Sequence, residues 1–211
     1  MTGRLQADVE KVVASQNCSG CGGCAQVSSA IRMKIDSTGF LRPEFDSTNP
    51  SSTEHEASEF RRICPGLRVD TPEPPGSVRH PYLGAVVDSW QAWACDPVVR
   101  NRGSSGGTLT AISNWIVDRP GGGAVVGAAA SPQDPRNTVS LTIMSKDEAL
   151  RASGSRYAPA SNLCAENALD EDAFVGKPCE ISALSQIITA RKPDRTPLRM
   201  SFFRAGVPSQ L

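Results

Sequence analysis

Two histidines, His55 and His80, are all the imidazole this 211-residue chain carries, and they stand isolated. Chemistry built on clustered histidines has no material here, and both are read as solvated loop residues. Charge of one sign is missing too: 22 Lys and Arg offset 22 Asp and Glu. That balance gives no electrostatic support for a nucleic-acid partner or an anionic membrane. No apolar run reaches the about 18 residues a spanning helix needs. Residues 1–13 mix Arg, Asp, Glu and Lys with scattered Leu and Val, unlike the apolar core of an export signal. The expectation is a cytoplasmic protein with no membrane insertion.

What the chain does have is cysteine, glycine and proline. Seven cysteines without an export signal point to reduced thiols, and clustered reduced thiols bind metal or do redox chemistry more often than they pair. Their odd number also argues against complete pairing. Hydrophobic residues make up 39% of the chain, enough for a packed core, while 18 Gly and 16 Pro predict many loops.

Leu5, Val9, Val12 and Val13 recur at helical spacing, predicting a short amphipathic helix over 5–15. Ile31, Met33 and Ile35 alternate with Arg32, Lys34 and Asp36, and Asp36-Ser37-Thr38-Gly39 predicts a hairpin turn. A helix is predicted from Ser52 to Ile63. The Pro-rich stretch 71–76 reads as a linker, dividing residues 1–76 from 77–211. Beyond it strands alternate with helices. Strands are predicted from Gly84 toward Trp93, over 124–127 and 139–143, and from Leu198 to Phe203. Helices are predicted after Gly107, over 146–152 and over 180–191. The fold class expected is α/β: a mixed sheet flanked by helices, preceded by a small cysteine-rich segment with a β-hairpin.

Cys18, Cys21 and Cys24 lie three residues apart twice over in a glycine-rich turn, and Cys64 precedes Pro65. Three thiolates from one run, completed by a distant cysteine before proline, is a recurring way to hold a 4Fe–4S cluster. A structural zinc site also takes four cysteines, though zinc modules usually bring them as two separated pairs. Ser104, Ser105, Gly106, Gly107 and Thr108 fall between a predicted strand and a predicted helix. Free amides at a helix start and close backbone approach suit a phosphate there, while the plain alternative is a loop and a cap. Ser155, Arg156 and Tyr157 add a hydroxyl, a guanidinium and an aromatic ring. Lys177 and Cys179 stand at another predicted helix start, where a thiolate is favoured. A small buried thiol is the equally plain reading of Cys179.

Taken in chain order, these blocks resemble the coenzyme F420 hydrogenase/dehydrogenase beta-subunit family. The carriers are Cys18-Ser-Gly-Cys21-Gly-Gly-Cys24, Cys64-Pro65-Gly66, Arg102-Gly-Ser-Ser-Gly-Gly107, Gly154-Ser-Arg-Tyr157, Val175-Gly-Lys-Pro-Cys179 and the block from Ser201 to Ser209. The resemblance implies an oxidoreductase subunit with one 4Fe–4S cluster on Cys18, Cys21, Cys24 and Cys64. It also implies FAD phosphates against residues 104–108, with Ser155, Arg156, Tyr157 and Lys177 near them. Its partner would be a redox subunit or a small-molecule electron carrier, of coenzyme F420 type in the archetypes, and a homo-oligomer is compatible with it. Arg204 stands where many relatives have cysteine, so no second cluster is expected. The early end at Leu211 suggests an incomplete flavin-binding domain over 77–211. The alternatives are a truncated homologue without turnover and a zinc-stabilised interaction module.

Overall fold

The structure, a computed structural model, describes residues 3–46, 53–204 and 206–210. The N-terminal part holds helix α1 (Arg4–Ala14), strands β1 (Ile31–Ile35) and β2 (Leu41–Phe45), and helix α2 (Glu54–Ile63). β1 and β2 pair antiparallel, Ile31 opposite Phe45 and Ile35 opposite Leu41. Asp36 closes their turn by accepting from the amides of Thr38 and Phe40 at 2.8 and 3.1 Å. α2 starts with a reciprocal cap: Glu56 N–H donates to Thr53 Oγ1, and Thr53 N–H to the Glu56 carboxylate. Ser52, the expected first residue of this helix, lies outside the described residues. Leu5, Val9 and Val12 of α1 bury against Ala57 and Phe60 of α2 and Ile31 of the hairpin.

The larger part is a four-stranded mixed sheet in the order β6-β5-β7-β8. Its strands are β5 (Val125–Ala130), β6 (Thr138–Ile143), β7 (Ala173–Gly176) and β8 (Leu198–Ser201). β5 and β6 are antiparallel, whereas β7 runs parallel to both β5 and β8. Neighbouring residues face opposite sides, as the strand period of two requires. Val125 and Ala173 join one core with Ile116 and Ala149, from helices α4 (Thr108–Asp118) and α5 (Lys146–Arg151). Val126 and Phe174 join another with Ala183 and Leu184 of α6 (Pro178–Arg191). Both faces of the sheet are therefore covered, and the expected α/β architecture is the one observed.

The expected strand from Gly84 forms but stops at Val86 and does not continue toward Trp93. Gly84–Val86 makes strand β4 of an exposed hairpin with β3 (Val78–His80), and Ser89 N–H turns back onto Asp88 Oδ1 at 2.7 Å. Residues 87–93 are exposed and carry no ladder, so their apolar side chains have no sheet face to join. A short helix α3 (Pro97–Arg102), capped by Asp96, follows them. The last strand ends at Ser201 rather than Phe203.

Asp172 fastens the start of the sheet. Its carboxylate accepts from the Ala124 amide at 3.0 Å and from Arg195 at 2.7 Å, and Arg119 also donates to it. The Ala124 amide holds this carboxyl below the usual carboxylate range, with both arginines adding to the effect and partial burial opposing it. The stabilisation is present above the unfolded value of about 3.9 and is lost as pH falls through the lower folded value. Asp172→Asn should lower unfolding stability by about 2 kcal/mol at neutral pH and flatten its acid limb. Urea titrations at neutral and acid pH read both effects; unchanged stability at neutral pH would contradict this role.

Candidate metal centre and cofactor site

Cys18, Cys21, Cys24 and Cys64 line one small pocket, together with Gly22, Gly23, Pro65 and Gly66. Three come from the turn between α1 and β1, and Cys64 caps the end of α2. Apolar Val9, Val12 and Phe60 close the wall around them. The thiols feel their surroundings and one another. Burial pushes the Cys21 thiol far above its ordinary value, and repulsion from Cys179, Cys24 and Cys64 adds to this. Cys24 is raised by burial and then by Cys18, Cys64 and Cys164. Burial also raises Cys64, opposed by the amides of Gly66 and Leu67, which point at its sulfur. Gly23 N–H likewise donates to Cys21 Sγ at 3.5 Å. Among the described residues, no group of three or more His, Cys, Asp or Glu forms a ready-made single-ion site.

The cysteine turn rests on a second layer from the far part of the chain. Ser161 Oγ donates to Gly20 O at 2.6 Å, and Gln26 Nε2 donates to Leu163 O. Gly22 has φ +82°, and a Cβ there would stand 2.6 Å from Cys164 Sγ, so only glycine fits. Arg191 of α6 pairs with Glu59 of α2 at 2.9 Å. The expected linker at 71–76 thus separates in sequence what hydrogen bonds join in space.

Cys164 had no expected role, and its position against Gly22 was hidden in the sequence by the 141 positions that lie between them. Cys179 sits in the first turn of α6, where its thiol repels that of Cys21. Beside it lies a buried ion pair. Lys177 and Glu180 are almost wholly enclosed, with Nζ and Oε1 3.4 Å apart. Glu180 also accepts from the amides of Asn162 and Lys177 at 2.8 and 2.7 Å, and Lys177 Nζ donates to Ala160 O. Burial pushes the Glu180 carboxyl up, with Lys177 and these amides opposing.

Residues 104–108, expected to hold a phosphate, form a turn at the start of α4. Ser105, Gly106 and Gly107 are all left-handed, with φ of 50°, 69° and 72°. A Cβ on Gly107 would meet Val99 O at 2.6 Å, which explains glycine there. Ser155 Oγ donates to Ser104 Oγ at 2.8 Å, so two of the expected blocks meet. Two others do not join them. Arg156 spends its guanidinium on Thr138 Oγ1 and on the carbonyls of Pro135 and Asn137. Lys177 is committed to Glu180 and Ala160 O rather than offered as a free cation. Tyr157 is exposed.

Residues 89–165 match the family described as Coenzyme F420 hydrogenase/dehydrogenase, beta subunit N-term. That span includes Ser104–Thr108 and Ser155–Tyr157; the four pocket cysteines and Lys177 lie outside it. Among solved structures, the chain is similar to one from the F420-reducing NiFe hydrogenase complex of Methanosarcina barkeri, studied by xenon derivatization. The identity is 16% and the TM-score 0.42, over 52% of this chain and 40% of that one. A likeness of this size carries no argument about fold or function. No curated protein matches the chain.

The buried pair makes a direct prediction. Glu180→Ala leaves Lys177 enclosed without its partner and should cost about 3–5 kcal/mol. Replacing both, Lys177→Met with Glu180→Leu, should recover only the part due to the unpaired charge, since the amides of Asn162 and Lys177 still lose their acceptor. Urea unfolding measures it, and a single variant as stable as wild type would contradict the pairing.

Proposed function

We propose that this chain, which belongs over residues 89–165 to the coenzyme F420 hydrogenase/dehydrogenase beta-subunit family, is an iron–sulfur flavoprotein subunit that moves electrons between one 4Fe–4S cluster and FAD. The observation that carries this reading is the convergence of Cys18, Cys21, Cys24 and Cys64 on one pocket. When bound, the cluster would supply one-electron chemistry and the flavin two-electron chemistry.

The chain's own residues have defined work in this reading. The four cysteines supply the thiolates, and Val9, Val12 and Phe60 keep water away from them. Amides of Gly23, Gly66 and Leu67 offset thiolate charge, a contact that tunes potential. Ser161 holds Gly20 and so fixes the turn that carries three of the cysteines. The left-handed turn at 105–107 and the start of α4, which no side chain caps, suit a phosphate. The Ser104–Ser155 pair adds hydroxyl donors. Arg156 and Lys177 would reach a phosphate only by leaving their present partners, so the serines and backbone amides carry the phosphate role. The electron partner is a further redox subunit or a small-molecule carrier such as a deazaflavin.

Anaerobic reconstitution tests this reading. Wild type should hold about four iron and four sulfide per chain, and Cys64→Ala or Cys18→Ala should lose most of that iron. Flavin reduction that depends on an added donor should accompany the cluster. A colourless protein holding one zinc would overturn the reading in favour of a structural module.

A further inference from the structure

We propose that Trp93 is a wall of the cofactor site, its indole stacking on a planar ring of the ligand whose phosphate rests on residues 104–108. The proposal rests on the flavin reading above. The segment 92–94 is a strap bound across the glycine turn. Ala94 N–H donates to Gly106 O at 2.8 Å, and Thr108 Oγ1 donates to Ala92 O at 3.2 Å. Between those two bonds, the Trp93 Cβ packs so closely on Gly106 that a Cβ there would approach it to 2.9 Å. Yet Trp93 as a residue remains 56% exposed.

Exposure alone distinguishes nothing, because Trp90 and Trp115 are 81% and 65% exposed. What sets Trp93 apart is where its backbone is pinned. The indole is anchored at its root on the residue at the centre of the left-handed turn, with much of its surface open to solvent. A second segment fastened to this turn, through Ser155 and Ser104, carries the exposed Tyr157. Two separate stretches of chain fastened to this turn thus each carry an open aromatic residue, Trp93 between the two strap bonds and Tyr157 two positions from Ser155. Aromatic faces there match a flat heterocycle tethered to a phosphate, since stacking accepts any π face and needs no hydrogen-bond pattern. Sequence gave no sign of this, because Gln91-Ala92-Trp93-Ala94 reads as the end of a strand until the strap is seen.

The test is FAD binding to the intact chain, with Trp93→Leu keeping an apolar side chain at the strap and Trp93→Phe keeping a ring. Trp93→Leu should weaken FAD about ten-fold, Trp93→Phe far less, and Trp90→Leu not at all. In a Trp90→Phe, Trp115→Phe background, the remaining Trp93 emission should lose its quenching by iodide when FAD binds. Parallel titrations with FMN and ADP identify the ring: weaker FMN binding in Trp93→Leu assigns the isoalloxazine, weaker ADP binding the adenine. Wild-type affinity in Trp93→Leu, or iodide quenching unchanged by FAD, overturns the proposal and leaves the flavin reading standing. No FAD binding by the wild type overturns both.

Discussion

The seat beneath the cysteine turn is the constraint on which the rest of this molecule depends. A turn with glycine at positions 20, 22 and 23 has little to hold it in one shape, because glycine loses the most freedom on ordering. Here it is held by contact with the far part of the chain. Ser161 binds Gly20, the Cys164 sulfur fills the space beside Gly22, and Ala183 of α6 lies against Gly23. Without that seat, three thiols would be offered by a loose loop. With it, they share a pocket with Cys64.

The seat also ties the cysteine turn to the start of α6 and to the sheet. Residues 160–164 are tied through Asn162 and Ala160 to the buried Glu180–Lys177 pair, which opens α6 at the end of β7. Ser140 of β6 donates to Asn162 as well, joining the sheet to the same segment. A buried ion pair is not in itself a strong source of stability, since desolvation offsets much of the attraction. Its consequence here is positional. It ties the 160–164 segment to the start of α6 through the Asn162 amide and the Ala160 carbonyl, and the cysteine turn rests on that segment through Ser161.

Much of this was legible in the residues. The helical spacing of Leu5, Val9 and Val12 and the alternation from Ile31 to Ile35 each express a local rule, and that helix and that strand formed where expected; the cysteine spacing is equally local. What was illegible is non-local. β7 is only four residues long and is covered on both faces, so Ala173-Phe174-Val175-Gly176 shows no alternation to read. Val86 to Trp93 has strand-like residues, but no partner strand meets it beyond the short hairpin. Lys177 beside a glycine suggests a phosphate ligand until Glu180, one helical turn on, is seen to enclose it. Cys164 matched no motif because what it packs against is Gly22, far away along the chain.

The central claim is that the four pocket thiols grip one cubane. The most direct measurement is an electron paramagnetic resonance spectrum of the anaerobically reconstituted wild-type chain after dithionite reduction, with spin quantified against iron. The account predicts a single reduced 4Fe–4S signal of about one spin per chain. A spectrum without signal, from protein whose metal content is zinc, would contradict it.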